Sequence, residues 1–424
     1  MKKTLSLIIL FFINTVTVYG NITQALTSNQ TRSFILRSPI YINGNENFTF
    51  ENGVTYGNGT FDDPYIIENW EINGTGNNVG IFVENTTSYF IIRNTYVHNA
   101  VEIGILFWNV TNGTIMNSTL TNNRYGISIF HSDYITIRQN LIFNNSYMGI
   151  TLYSTSNSTI TDNTIFNNYY VGIRFYKDFI PTSPHLLNNS ITDNIIFNHS
   201  YGIDIVGGIF TTIIGNTIYN HTEKGISIGS SASFGSISYS NVLLNNKLDK
   251  NSDGITIYGS FNNTILYNKI TNSTGYSITI SYDTLGFYAR NNRIHHNLLM
   301  TNVTGKKLGF DNDGNNSWNN STVGNYWSDF DVPSEGCFDT NFDNICDSPY
   351  ILDGGSGAKD YYPLTTFQEY YPPLPPQNLR AVAYNSKVML FWDTPLYDGG
   401  SSIIKYNVYR NRSLLITIGT NTSY

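Results

Sequence analysis

The sequence predicts an all-β protein built as a parallel β-helix, a solenoid of short strands, on three observations. A Gly-hydrophobic pair opens a strand at Gly80, Gly104, Gly126, Gly149, Gly172, Gly202, Gly225 and Gly254. A second marker recurs in step with it at Asn94, Asn140, Asn163, Asn194, Asn216, Asn246, Asn268 and Asn297, with Ser118 standing in on one rung. Between the markers lie segments too short for helices, such as "GISIF", "YITI" and "NLIF". Their apolar residues fall at every second position, the period of a strand.

The markers are mostly 22–24 residues apart, the range in which self-similarity means a solenoid, and insertions stretch some units to near 30. Stacking such units pairs each strand with its copy one coil on, at ~4.8 Å, so inward Ile, Leu and Phe form continuous files. The Asn then falls at a corner, where it tolerates bent backbone and its amide reaches the next rung. The Gly permits unusual dihedrals or close approach at another corner. A β-sandwich of irregular hairpins would not hold both markers in phase over nine rungs.

Ahead of the repeats, "MKKTLSLIILFFINTVTVYG" has two Lys, an apolar run and a Gly, and reads as a secretory leader over 1–20. An N-terminal segment and cap follow at 21–70, the repeats at 71–305 and a closing cap at 306–367. "QEYYPPLPPQ" opens a Pro-rich linker at 368–376, and a β-rich tail occupies 377–424. No later segment is apolar enough to span a membrane. Only 12% of residues are charged, so solubility rests on Asn, Ser, Thr and Tyr. A net charge of −7 without a basic block argues against a nucleic-acid partner. Sequons such as Asn47, Asn58, Asn85, Asn109, Asn272 and Asn302 are acceptors for glycans in a secreted chain, although an Asn/Thr-rich composition also produces them by chance.

The phrase "N-x-I-x-x-N-x-x-G-I-x-I" resembles the right-handed parallel β-helix repeats of the CASH and NosD-like families, which share the pectin-lyase-like fold. "SPIYINGNENFTFENGVTYGNGTFDDPYIIENWEI" (38–72) is similar to the N-terminal cap of such archaeal surface proteins, and "GNYWSDF", "DSPYIL" and "DYYPL" resemble their closing segment. The likeness covers roughly 38–367. The tail resembles the opening strands of a fibronectin type III domain, with Trp392 and Tyr406 as core aromatics, so the full expectation is a right-handed β-helix followed by a partial β-sandwich module. This fold hosts lyases, hydrolases, epimerases and pure binders, so function has to be argued from a site.

Alternation fixes which residues of the Gly-Ile strand face outward. One outward column reads Phe82, Leu106, Ser128, Thr151, Arg174, Asp204, Ser227, Thr256; the next reads Glu84, Trp108, Phe130, Tyr153, Tyr176, Val206, Gly229, Tyr258. Trp108, Phe130, Tyr153 and Tyr176, with Tyr258 further along, are candidate carbohydrate-binding residues, since flat aromatic surface beside polar groups suits sugar rings. The insertions "YKDFIPTSPHLL", "GSSASFGSIS" and "YDTLGFYAR" follow this strand and are placed to wall a groove. The alternative is that the rings stack on one another to shield the sheet.

Catalysis has one candidate. Asp204 and Arg174 pair a base with a neutralising cation, the minimum for proton abstraction in a lyase or epimerase. "YGID" (201–204) resembles the start of the epimerase motif Tyr-Gly-Ile-Asp-Pro-His, but Ile205 and Val206 replace Pro-His. A hydrolase pair is missing, because Asp204 and Glu84 are five coils apart, far beyond the ~5–10 Å required. An Arg–Asp pair without chemistry is the simpler reading. The NosD-like resemblance implies copper handling, yet the chain has 5 Met and 7 His, with His295-His296 the only adjacent pair, most simply a solvated turn.

"CFDTNFDNICD" places Asp339, Asn341, Asp343, the Ile345 carbonyl and Asp347 at alternate positions, resembling a calcium loop, with Asn344 in place of the usual Gly and Tyr350 in place of a bidentate Glu. Calcium is therefore the one cofactor expected, against a solvated acidic turn closed by a Cys337–Cys346 bridge. The functional expectation is a secreted or cell-surface β-helix that binds polysaccharide or glycan on its aromatic face. A lyase or epimerase of uronic-acid polymers is the alternative, and a copper accessory protein or inert stalk the third. The sequence names neither the sugar nor an oligomeric state.

Overall fold

The computed structural model describes residues 34–177, 186–231, 236–282, 287–303, 305–367, 373, 376–384, 387–395, 402–410 and 413–423. The leader at 1–20, segment 21–33, and parts of the three insertions and the linker lie outside them. Alternation of Ile with polar residues produces short parallel strands, and these build three sheets, one of twelve strands and two of eleven. The Gly-Ile sheet runs Ile40–Asn43, Val79–Thr86, Ile103–Val110, Tyr125–Phe130, Met148–Tyr153, Val171–Tyr176, Tyr201–Val206, Lys224–Gly229, Asp253–Tyr258, Ile278–Ser281 and Gly309–Asp311. The twelve-stranded sheet carries the segments after the Asn marker, such as Leu141–Phe143 and Thr164–Phe166. The sheets extend from Ile35 to Trp327, beyond both ends of the span 71–305, because the cap segments supply the terminal strands.

Inside, Ile105, Ile127, Ile150, Ile173, Ile203, Ile226, Ile255 and Ile278 form one fully buried file, and the other inward positions repeat the pattern. Each file removes a branched side chain per coil from water, worth roughly 1.5–3 kcal/mol apiece.

Corners are held by hydrogen-bonded ladders. Ser118, Asn140, Asn163, Asn194, Asn216, Asn246, Asn268, Asn297 and Asn325 each donate or accept along one file, backbone N–H to the next Oδ1 at 2.9–3.1 Å. Asn94 is not on it: it adopts φ 49° in the turn, and Thr95 occupies the rung. Two further ladders were not read from the sequence. One runs Asn123, Asn145, Asn168, His199, His221, Asn251 at the entrance to the Gly-Ile strands. The other runs Asn241, Asn263, Asn292, Asn316. Each rung satisfies backbone that a bent corner would otherwise bury unpaired. Two ladders end on buried carboxylates. Asn316 donates to Asp311 at 3.1 Å and Asn325 to Asp360 at 3.2 Å, and each carboxylate also takes an indole N–H, from Trp318 at 2.8 Å and Trp327 at 2.9 Å.

In the tail, Gln377–Tyr384 pairs antiparallel with Lys387–Asp393, and Tyr406–Arg410 with Ser413–Ile418. Trp392, Tyr406 and Val408 are buried together, the two rings 5.4 Å apart.

Candidate functional site

The Gly-Ile sheet holds its two outward columns in the expected register: Trp108, Phe130, Tyr153, Tyr176, Val206, Gly229 and Tyr258 are successive Cα partners, as are Leu106, Ser128, Thr151, Arg174, Asp204, Ser227 and Thr256. The four rings form one file. Trp108 stacks on Phe130 at 5.1 Å, Phe130 on Tyr153 at 4.5 Å with planes 5° apart, and Tyr176 turns edge-on to Tyr153 at 6.1 Å. Ring faces are thus occupied largely by neighbouring rings. Trp108, at the end of the file and 42% exposed, keeps the most open surface.

A second difference concerns the other column. It points outward yet is mostly buried: Ser128 is 1% and Thr151 0% exposed. A further file, Tyr125, Tyr147, Tyr170 and Tyr201, with ring separations of 5.4–5.6 Å, rises along its other side and helps to cover it. Sequence alternation tells inside from outside but not whether an outward residue is roofed by its neighbours.

The roof parts at Arg174. Its guanidinium lies between Tyr170 and Tyr176, 5.9 and 5.1 Å from the ring centroids, and its Nε is 3.5 Å from Asp204 Oδ2 on the next coil. Asp204 is 7% exposed. Burial pushes its carboxyl above the usual range, opposed by the charge of Arg174 and a hydrogen bond with Ser227. Burial likewise pushes Tyr176 up to about 12, with Arg174 pulling the other way.

Tyr258 belongs to this cluster rather than to the ring file. A Cβ on Gly229 would stand 1.9 Å from its Cζ, so the ring lies where that side chain would be. Its hydroxyl hydrogen-bonds Ser227, and burial followed by the Asp204 charge raises its pKa. Lys224 Nζ sits 5.5 Å from its ring. Thr256, the next floor residue, has a buried hydroxyl with no partner among the described residues. Gly229 and Ser227 stand in the outward columns read from the sequence, but their part in this cluster was not foreseen because nothing local distinguishes them from ordinary strand positions.

Part of each insertion is visible. Lys177 is buried, and Ser231 pairs with Ser236, whose Cβ would be 2.8 Å from a Cβ on Gly207. Asp178 lies outside the described residues. At the closing cap, Asp339 accepts N–H bonds from Asp343 and Asn344 at 3.1 and 3.0 Å, and Asn341 Nδ2 donates to Asp343. Asp347 instead takes the Thr340 N–H and hydroxyl, at 3.0 and 2.8 Å. Tyr350 is fully buried against Trp327, away from any ligand role. Cys337 and Cys346 form a disulfide across the loop. His295 ends its strand and His296 turns the chain at φ 59°, both half-buried, with Nδ1 atoms 2.6 Å apart. Among the described residues no group of three or more His, Cys, Asp or Glu is arranged to hold a metal ion.

Comparison with known proteins agrees with this architecture. Residues 13–210 match the family model described as "Right handed beta helix region". The chain folds as a right-handed parallel β-helix. Residues 179–332 of this β-helix protein also match the model for "Periplasmic copper-binding protein (NosD)". No curated protein matches the sequence. Solved structures similar to the β-helix include the Dettilon tailspike protein, 16% identical over 78% of this chain and 61% of that one, TM-score 0.41. The A-module of an Azotobacter vinelandii mannuronan C-5 epimerase is 16% identical over 72% and 87%, TM-score 0.47. An alginate lyase from Paenibacillus sp. is 13% identical over 66% and 99%, TM-score 0.43. This chain thus spans less than two thirds of the tailspike.

Proposed function

We propose that this β-helix is a secreted or cell-surface protein that binds carbohydrate on the outer face of the Gly-Ile sheet, with Trp108 as the stacking surface and the Arg174–Asp204–Tyr258 cluster as the polar end. One contrast supports it. On the outer face of the twelve-stranded sheet, Phe143, Phe166, Phe197 and Tyr219 also stack, at 4.8–5.0 Å with planes within 5°. That file packs with Leu141 and Ile195, Phe166 and Phe197 are only 8% exposed, and it reads as shielding alone. The Gly-Ile file instead ends on an open Trp, beside Glu84, and leads into charged and hydroxyl groups, the mixture sugars are held by. Trp108→Ala should weaken retention on a polysaccharide array about 10-fold while the melting temperature barely moves, since exposed aromatic stacking contributes about 1–2 kcal/mol. Unchanged retention would remove this reading.

The second reading is a lyase or epimerase of uronic-acid polymers, favoured by Asp204, a buried carboxylate poised toward protonation beside a cation. Incubation with such polymers should then yield unsaturated ends or a changed epimer ratio, lost in Asp204→Asn. We also read the 339–347 loop as a calcium site supplied by Asp339, Asn341, Asp343, the Ile345 carbonyl and Asp347, and the C-terminal hairpins as part of a fibronectin type III module that spaces or adheres.

A further inference from the structure

The ladder at the entrance to the Gly-Ile strands replaces two asparagines by histidines. His199 and His221 are 3% and 2% exposed, and their rings stack at 5.3 Å with planes 12° apart. Asn168 Nδ2 lies 3.1 Å from His199 Nε2, the His199 backbone N–H donates to His221 Nδ1 at 3.2 Å, and His221 Nε2 faces the Ile196 carbonyl at 3.3 Å. With Asn168 donating, as rung amides do, this network assigns both rings as neutral. The remaining nitrogen, His199 Nδ1, is buried with no partner among the described residues.

An asparagine rung has nothing to titrate; a histidine rung does. A proton added to His199 Nε2 or His221 Nδ1 would turn an acceptor into a donor facing a donor, and two stacked cations would repel. Among the described residues, the groups facing the pair supply no compensation. Gly172 and Gly202 face it from the Gly-Ile sheet, Ile196 and Ile218 from the twelve-stranded sheet, and Asn168 and Asn251 from its own file. Among the described residues the only charge that bears on His199 is the other imidazole. Tyr170, Tyr201, Glu223 and Lys224, ionisable residues within two or three positions of this ladder in the chain, are exposed or half-buried and do not enter the balance at either ring.

The rings also touch the two strands of the site. A Cβ on Gly172 would stand 3.2 Å from His199 Cε1, and one on Gly202 would stand 2.9 Å from His221 Nε2. Arg174 and Asp204 follow those glycines by two residues.

We propose that the His199–His221 rung is an acid-sensitive lock: protonation releases this corner and loosens the strands that carry Arg174 and Asp204, while the asparagine rungs below it hold. The direction follows from burial, which lowers His221 to about 4 and His199 well below its ordinary value. Unfolded histidines bind protons near pH ~6.5. The lock therefore contributes fully above that pH and weakens as pH falls toward 4.

Hydrogen exchange on the full chain tests this. Segments 168–176 and 199–206 should be as protected as 126–130 at neutral pH and lose protection by about 10-fold or more near pH ~4.5, once intrinsic rates are removed, while 126–130 holds. The double variant His199→Asn/His221→Asn rebuilds a regular rung and should retain protection there at acid pH. His295→Asn/His296→Asn, which alters the other histidine pair, should lose protection as the wild type does. Loss spread evenly over all coils of the wild type, or an acid response preserved in the His199→Asn/His221→Asn protein, overturns the proposal. If that variant does not fold, the segment comparison in the wild type decides alone.

Discussion

Asp360 closes the asparagine ladder by accepting two hydrogen bonds from Asn325, one from the backbone N–H at 2.7 Å and one from Nδ2 at 3.2 Å. From Asn140 on, every rung before it is an amide that both donates and accepts, so a ladder can run on without change. On this file it stops at a group that accepts without needing to donate, a carboxylate. Asp360→Ala should leave the Asn325 amide and the Trp327 indole without acceptors and destabilise the protein by about 3 kcal/mol, read from urea unfolding.

The same carboxyl gives a pH prediction. Burial pushes Asp360 up to about 6, against the opposing hydrogen bonds from Trp327, Asn325 and Tyr362. The folded state then holds this proton more tightly than the unfolded chain does, so stability falls as pH rises from about 4 to 6, by up to about 3 kcal/mol. The slope of stability against pH should differ between wild type and Asp360→Asn in that window, with the variant lacking this decline. An identical slope in both would show that Asp360 titrates normally. The sign is opposite to that of the His199–His221 pair, so the two contributions separate in the variants.

Asn216 tests the ladder in its interior. Its amide receives the Asn194 backbone N–H and Nδ2 at 3.0 Å and donates to the Ile191 carbonyl at 2.9 Å. Asn216→Ala leaves all of these unpaired in a dry corner and should cost about 3 kcal/mol. Asn220→Ala, in the adjoining exposed turn at φ 59°, should cost under about 1 kcal/mol, because only the left-handed backbone preference is lost.

Gly229→Ala should move Tyr258. The new Cβ would fall 1.9 Å from Cζ, far inside contact distance, and the half-buried ring is the part free to give way. A crystal structure of the variant should show Tyr258 swung off Ser227 and Asp204 more exposed, with the coils otherwise unchanged. A ring left in place with a displaced backbone would mean that Tyr258 is clamped by the fold.

The closing loop should respond to calcium. If Asp339, Asn341 and Asp343 take a cation, adding calcium at about 100 times its dissociation constant stabilises the protein by roughly 2.7 kcal/mol, and a chelator reverses it. Asp343→Asn should abolish the difference. A melting temperature indifferent to calcium and chelator would leave the loop as a disulfide-closed turn.

The repeat was legible because it is a covalent count: the Gly-Ile pairs and the Asn140 file recur at the coil length, and the register of Trp108, Phe130, Tyr153 and Tyr176 follows from strand alternation. Asn94 was misplaced by one residue because the turn and the rung are adjacent and both favour Asn. The second and third ladders were missed because one substitutes His199 and His221 and the other is interrupted by insertions. Asp360 carries no sequence signal of its own, since Asn325 and Trp327 lie more than thirty residues before it, whereas Asp311 serves Asp313, Gly314, Asn316 and Trp318 close by in the chain and was overlooked in an Asp/Asn-rich stretch.

What the chain determined by itself was therefore periodic: inside and outside, coil pitch, and which residues stand above which. The tertiary structure alone decided access. Ser128 and Thr151 face outward yet are covered by aromatic side chains, Tyr258 leans over Gly229 to reach Ser227, and Asp204 becomes a buried carboxyl beside Arg174. Alternation sets the direction of a Cβ, whereas exposure and charge depend on how far neighbouring side chains on other coils reach across it.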